Sequence, residues 1–275
     1  MRSKTFLFLL SLYASLFMAC KVQTQDWMSW NIRYDNPQDG PDRWEIRRQG
    51  LSGYIQTFNP AVIGLQEVLH HQLTYLNDSL SGYAYYGVGR DDGQNKGEFC
   101  PVFYNTKLFS LVQGQTFWLS KTPGIPSKDW DAALPRIATM VILKDIKSGD
   151  SIWVVNTHFD HVGEMARLHS AELIIEVLKP ALDSGKKVVL MGDFNAEPSE
   201  APITLLKQYF TETCPPNRIL EGTFNGFDVQ KTSFKRIDYI WLSRNNWQLT
   251  DYGVLQLKLN QRYVSDHFPV KISVR

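Results

Sequence analysis

Apolar and polar positions alternate between strand-like and helix-like spacing along the whole chain. "DWMSWNIRY" and "AVIGLQEV" read as short buried strands, and "YAYYGVG", "FCPVFYN" and "LFSLVQGQTFWLS" as further strands. Between them "RWEIRRQGLSGYIQTF", opened by Pro41-Asp42, and "HHQLTYLNDSL" carry helical spacing. The segment "RDDGQNKGE" has the composition of a hairpin turn. "RIATMVILKD" and "SIWVVNTHF" predict an antiparallel pair joined at "IKSGD". "GEMARLHSAELIIEVLKPALDSG" predicts the longest helix, with Leu168, Ala171, Ile175, Leu178 and Leu182 on one stripe. A buried strand "KKVVLMGDF" and a short helix "SEAPITLLKQY" follow, and "FKRIDYIWL", "WQLTDYGVLQL" and "FPVKISV" close the chain as strands. Many antiparallel strands, few helices and no linker predict two packed sheets covered by helices, in one domain over residues 25–275.

The pattern breaks in the same way on several strands. Asn31 in "WNIR", Glu67 in "GLQEV", His158 in "NTHFDH", Asp193 and Asn195 in "GDFN", and Asp238 in "RIDYI" stand where an apolar residue belongs or where the strand stops. Asp266 and His267 sit just before the last strand. Singly, each has a structural explanation: a bonded core amide, a turn, a helix entrance, a local pair of Asp238 with Arg236. Together they do not, because burying unpaired carboxylates costs several kcal/mol, on the order of a domain's whole stability. Strand ends that point the same way let these groups meet at one rim, where a divalent cation offsets their repulsion. Side chains two apart on a strand share a face, so Asp193 and Asn195 are expected to address one small object together.

Composition narrows the context. Residues 1–20 read as a targeting segment: "MRSK" is basic, and "TFLFLLSLYASLFMAC" is apolar, short and ends in small residues. Cys20 after Ala19 suits lipoprotein processing and acylation, although Phe17 stands where an aliphatic residue is usual, so ordinary signal-peptidase cleavage stays open. Loss of Arg2 and Lys4 with residues 1–19 takes 29 basic residues to 27, against 28 acidic. Such a near-neutral chain lacks the basic excess of a protein that grips long nucleic acid. Cys100 and Cys214 remain as a possible pair in an oxidising compartment.

The ordered set "WNIR", "LQE", "NTHFDH", "GDFN", "RIDYI" and "SDHFPV" resembles the endonuclease/exonuclease/phosphatase superfamily, shared by pancreatic deoxyribonuclease, exonuclease III, inositol-polyphosphate phosphatases, sphingomyelinases and nocturnin-type deadenylases. The resemblance implies a four-layer α/β sandwich. It implies Glu67 as the main Mg²⁺ ligand, helped by Asn31 and Asp266, with Mn²⁺ as an alternative ion. It implies Asp193 as the residue that positions or activates water, Asn195 beside it, and His267 on the phosphate, oriented by Asp238. Whether Asp193 or His267 takes the proton stays open. His158 resembles the second histidine of the deoxyribonuclease branch, and Glu98 its carboxylate partner. Arg136 in "LPRIA" and Arg90 in "GRDDG" are the phosphate-clamp candidates.

The implied reaction is metal-dependent hydrolysis of a phosphate ester of a small molecule or nucleic acid, by in-line attack of water. "NTHFDHVGEMARLHSAELI" and "GRDDGQNKGEF", to which His161 and Arg167 contribute, resemble bacterial secreted members and, more distantly, deadenylases. The expectation is an exported phosphodiesterase or phosphatase, periplasmic or anchored to a bacterial membrane through Cys20. A 3′–5′ RNA exonuclease is the alternative within the family, and a non-catalytic binding protein on this fold the alternative outside it.

Overall fold

The computed structural model describes residues 24–218, 222–244 and 247–275, so the expected leader at residues 1–20 lies outside it. In chain order the elements are β1 (Gln25–Asn31), α1 (Trp44–Phe58), β2 (Val62–Gln66), α2 (His70–Ser79), β3 (Tyr83–Tyr86), β4 (Val102–Asn105), β5 (Phe109–Trp118), β6 (Ile137–Asp145), β7 (Ser151–His158), α3 (Glu164–Asp183), β8 (Lys187–Asp193), α4 (Ala201–Leu206), β9 (Phe210–Glu212), β10 (Asp238–Ser243), β11 (Leu249–Val254), β12 (Lys258–Leu259), β13 (Arg262–Tyr263) and β14 (Val270–Val274). Two six-stranded sheets result, ordered β11-β14-β1-β2-β4-β3 and β5-β6-β7-β8-β10-β9.

Strand alternation sorts the core into three slabs. Trp27, Val62, Val102 and Ile272 from the first sheet meet Val141, Val154, Val189 and Ile240 from the second, filling the space between the sheets. Met28, Trp30, Ile63 and Leu65 face outward onto Leu51 and Ile55 of α1 and Leu73 and Leu76 of α2. Val155, Val188, Leu190 and Trp241 face the other way onto Ala171, Ile174 and Leu178 of α3 and Ile203 of α4. The two sheets covered by helices that the pattern predicts are therefore present, stacked α over sheet over sheet over α as the four-layer sandwich implied by the resemblance. On α3 the buried stripe runs through Ala171, Ile174, Ile175, Leu178 and Ala181, while Leu168 and Leu182 at its ends are only half-buried.

Most pairings are antiparallel, as expected, but each sheet holds one parallel pair: β1 with β2, and β7 with β8. Parallel neighbours need a crossover, and α1 and α3 supply it. The carboxyl ends of β1, β2, β7 and β8 thus reach the same rim of the sandwich. The three-residue β9 and the β12–β13 hairpin escaped the sequence reading because elements of two or three residues carry no period. Cys100 is a free, buried thiol, so it does not pair with Cys214.

Beneath that rim the slab between the sheets turns polar. Gln66 Nε2 donates to Asn156 Oδ1 at 2.6 Å, and Asn156 Nδ2 donates to the Leu65 and Pro101 carbonyls at 2.7 and 2.8 Å. These amides tie β2 of one sheet to β7 of the other, one residue before Glu67 and two before His158. Gly64 lets the sheets close here, since a Cβ at that position would stand 2.6 Å from Met191 Sδ.

Candidate active site

The inward-facing row of each site strand is apolar until its last member. Along β8 the inward side chains are Val189, Met191 and Asp193; on β10, read from the rim, they are Asp238, Ile240 and Leu242. Register places Asp193 opposite Asp238 on one side and His158 on the other. Asn31 ends β1 with the same orientation as Trp27. The polar ends therefore converge where the inter-sheet slab opens to solvent, in a cleft of about 540 Å³.

Asp193 is the point of convergence. Its Oδ2 accepts from Asn31 Nδ2 at 2.9 Å and lies 3.6 Å from His158 Nε2 and 3.7 Å from His267 Nε2. Burial, reinforced by Asp238, pushes its pKa up to about 7 against the pull of His267 and Asn31. His267 is buried, which alone would lower its pKa, but Asp238 and Asp193 more than reverse this and hold it well above the usual value. Its Nδ1 meets Asp238 Oδ2 at 2.8 Å. Asp238 thus pairs with His267, whereas Arg236 pairs with Glu212. His158 goes the other way: burial, then Arg136 and Arg90, drive its pKa well below normal.

Asn195 reaches the site by a different route from the one its spacing suggested. It lies beyond β8 in a left-handed conformation, φ 46°. Its N–H donates to Asp193 Oδ1 at 2.9 Å, and its amide nitrogen reaches the Phe159 carbonyl and His158 Nε2, both at 3.0 Å. A turn, not strand alternation, brings the pair together. Arg33 and Glu67 are left-handed as well, both at φ 60°. Such conformations cost about 1–3 kcal/mol each and gather at functional sites.

Glu67 Oε1 accepts from Asn31 Nδ2 at 3.0 Å and its Oε2 from the Tyr34 N–H at 3.1 Å. Burial raises Asp266 to about 6, against the pull of His267 and with repulsion from Glu67 adding to it. Glu67 and Asp266 both line the cleft, and their hard oxygen donors suit Mg²⁺ or Mn²⁺. The oxygen of Asn31 accepts the Arg33 N–H at 3.0 Å. A second cluster, Asp193, Asp238 and His267, brings one polar atom from each within 4.8 Å of the others, but with His267 protonated beside Asp238 only the carboxylate oxygens could face a cation, among them Asp238 Oδ1, which has no hydrogen-bond partner among the described residues.

Arg136 and Arg90 part company. Arg136 lines the cleft, with Nη2 3.0 Å from His161 Nδ1. Arg90 lies behind Glu98, its Nη1 2.7 Å from Oε2, and is not part of the cleft wall. Glu98 faces His158 Nδ1 at 3.8 Å, and burial together with Glu67 raises its pKa. The sequence reading passed over Asp160, Phe224, Glu197, Glu200 and Lys235. Phe224 stacks obliquely on His267 with centroids 5.0 Å apart, and Glu197 pairs with Lys235 at 3.3 Å. Only Asp160 carried a signal, a charge two residues after His158 inside a quoted motif.

Comparison with known proteins agrees with this geometry. A family profile described as "Endonuclease/Exonuclease/phosphatase family" matches residues 28–267. A structure described as a mannosyl-6-phosphatase of Bacteroides thetaiotaomicron is 34% identical, covers 91% of this chain and 99% of its own, and superposes with a TM-score of 0.84. Uncharacterized protein L388 of Acanthamoeba polyphaga mimivirus is 28% identical over 254 residues, 84% of this chain and 91% of that protein. Nocturnin of Rattus norvegicus is 24% identical over 253 residues, 81% of this chain but only 57% of its own length.

Proposed function

The chain belongs to the endonuclease/exonuclease/phosphatase family, and from that premise we propose that it is a divalent-cation-dependent phosphomonoesterase acting on a small phosphorylated sugar. The observation that carries the hydrolase reading is the convergence of Asn31, His158 and His267 on Asp193 Oδ2.

His267, held as an imidazolium by Asp238, has no free basicity at neutral pH. Asp193, raised to about 7, is matched to a general base at that pH. The attacking water therefore gives its proton to Asp193 Oδ2, while Asn195 fixes the carboxylate through Oδ1. The imidazolium of His267 neutralises phosphate oxygens as charge shifts onto them, and the guanidinium of Arg136 clamps the phosphate in the ground state and transition state alike. Neutral His158, its Nε2 facing the Asn195 amide, adds polarity without charge. Glu67 and Asp266 would hold the cation, with Asn31 bracing Glu67. When bound, that ion polarises the phosphate and steadies the departing oxygen.

Two features favour a small monoester over a polynucleotide. On the cleft wall Glu197 pairs with Lys235 and Glu200 with Arg167, so neither pair presents net positive charge to a polyanion's backbone. The cleft's Phe224 and Tyr34 rings each already have a partner, Phe224 leaning on His267 with centroids 5.0 Å apart and Tyr34 lying 4.6 Å beneath the Arg33 guanidinium, which disfavours their use as base-stacking platforms. The similar protein described as a mannosyl-6-phosphatase supports the same choice. The leader at residues 1–20 makes the activity an exported one in this proposal, with acylation of Cys20 as its anchor.

The test is phosphate release by the protein from Gln25 onward, with Mg²⁺ and with chelator. The substrates are p-nitrophenyl phosphate, hexose 6-phosphates, bis-p-nitrophenyl phosphate and oligo-RNA. Metal-dependent release from the hexose phosphates above all others is expected. Preferential shortening of RNA, or no release from either monoester, would overturn the assignment.

A further inference from the structure

One buried carboxylate belongs to none of the roles above. Asp160 follows His158 by two residues and is fully buried. Its Oδ1 accepts the backbone N–H groups of Ala133, Val162 and Gly163 at 3.1, 3.0 and 2.8 Å. Its Oδ2 accepts the Leu134 N–H at 3.2 Å and Arg136 Nε at 3.3 Å. Burial alone would raise its pKa, but these N–H groups and Arg136 outweigh it and hold the carboxyl far below the usual range. Asp160 is therefore held as the carboxylate at neutral pH. Its own carbonyl accepts from Arg167 Nη1 at 3.1 Å, which fixes the turn onto α3.

These bonds join two loops that have no strand pairing to hold them together. One carries Leu134 and Arg136 toward β6; the other carries His161 from β7 to α3. Leu134, Arg136 and His161 all line the cleft, and Asp160 does not. The guanidinium of Arg136 is fixed from two sides, by Asp160 at Nε and by His161 Nδ1 at Nη2, with Glu98 4.0 Å from Nη1. Arginine gains its value as a phosphate binder from a fork held in the right plane, and here the Nε edge is what sets the plane.

We propose that Asp160 is the positioning residue of the anion-binding wall, acting through Arg136 to set the affinity for the substrate's phosphate. It rests on the phosphatase reading only for its kinetic readout; inorganic phosphate binding reads it independently. Because Asp160 holds phosphate-binding groups and touches no group that moves a proton, its effect falls on binding more than on the chemical step.

Asp160→Asn, Arg136→Ala and the double variant are compared with wild type by calorimetric titration with inorganic phosphate in Mg²⁺, and by KM and kcat on p-nitrophenyl phosphate. Asp160→Asn is expected to weaken phosphate binding and raise KM by about tenfold, the size of one charge-assisted contact, with kcat within about threefold of wild type. The double variant is expected to be no worse than Arg136→Ala. A loss confined to kcat, or losses that multiply in the double variant, overturns the proposal. Should Asp160→Asn fail to fold, guanidinium ion added to Arg136→Ala decides: it restores phosphate affinity if Asp160 and His161 hold an anion-facing guanidinium there, and failure to restore it overturns the proposal. A wild type that binds phosphate but hydrolyses no monoester refutes the phosphatase reading and leaves this test intact; a wild type that binds no phosphate refutes both.

Discussion

Asp193→Asn separates what the site does from what it costs. The folded protein holds this carboxyl at about 7 against a usual 3.8. Below about pH 4 both folded and unfolded chains carry the proton, and burial of the group is nearly free. As pH rises toward 7 the unfolded chain gives up its proton first, so the folded state is progressively penalised, and above 7 the penalty is complete. Three pKa units correspond to about 4 kcal/mol. Asparagine never ionises and escapes the penalty. It also loses a hydrogen bond from Asn31 or Asn195, worth about 1–3 kcal/mol, but that loss does not depend on pH. The loss of a carboxylate 3.7 Å from His267 trims the gain further. The expected result is that the variant's stability relative to wild type rises by about 2–4 kcal/mol between pH 4.5 and pH 8. Urea unfolding of both proteins in chelator measures it. Turnover meanwhile falls by several orders of magnitude, the direction expected when a general base is removed. A stability difference that is flat with pH would show that Asp193 is not a strained, half-titrated carboxylate, and its role as base would go with it.

Glu67→Ala should shift the Mg²⁺ concentration needed for half-maximal phosphate release upward by about tenfold or more; an unchanged metal titration refutes the ligand assignment. His267→Gln removes the imidazolium and leaves Asp238 buried without it, so kcat on p-nitrophenyl phosphate should fall by about 10²–10³, and a change confined to KM refutes its role on the developing charge. Gly64→Ala puts a methyl group 2.6 Å from Met191 Sδ and 2.8 Å from Asn156 Oδ1. It should cost about 1–3 kcal/mol in urea unfolding and lower kcat, because it wedges Glu67 away from His158; full activity at reduced stability would show that the sheet spacing does not position the site.

The polar strand ends were legible because each interrupts an apolar run, and the burial they imply is costly enough to demand a shared purpose. Glu67, His158, Asp193 and His267 line one cleft, and Asn31 and Asp238 lie buried beneath it, bonded to Asp193 and His267. What could not be read was the route. Nothing in "GDFN" says that the strand stops at Asp193 and that a left-handed Asn195 folds back onto it. Arg90 and Arg136 look alike in sequence, and only tertiary packing puts Glu98 between Arg90 and the cleft. Phe224 and Glu197 sit in loops, where no period marks them and exposed charge is ordinary, and Lys235, at the start of the predicted strand "FKRIDYIWL", lies before β10 begins. The parallel pairing of β1 with β2 and β7 with β8 was hidden because a buried strand reads the same in either direction.

That parallel pairing explains why the chemistry is where it is. A strand followed by a crossover helix must end its polar backbone at the sheet's rim, and both crossovers here end theirs at one rim. Four carboxyl ends then deliver their terminal side chains into the mouth of an otherwise apolar slab. The low polarity of that slab raises Asp193 to about 7 and Asp266 to about 6. In water the same carboxyls would be fully ionised at neutral pH and poor proton acceptors. The amide layer of Gln66 and Asn156 completes the gradient, joining the sheets where packing alone would leave polar backbone unpaired. Catalytic competence and folding cost thus have one source, the placement of charge at the edge of the inter-sheet core. A substitution that relaxes the first is expected to relieve the second.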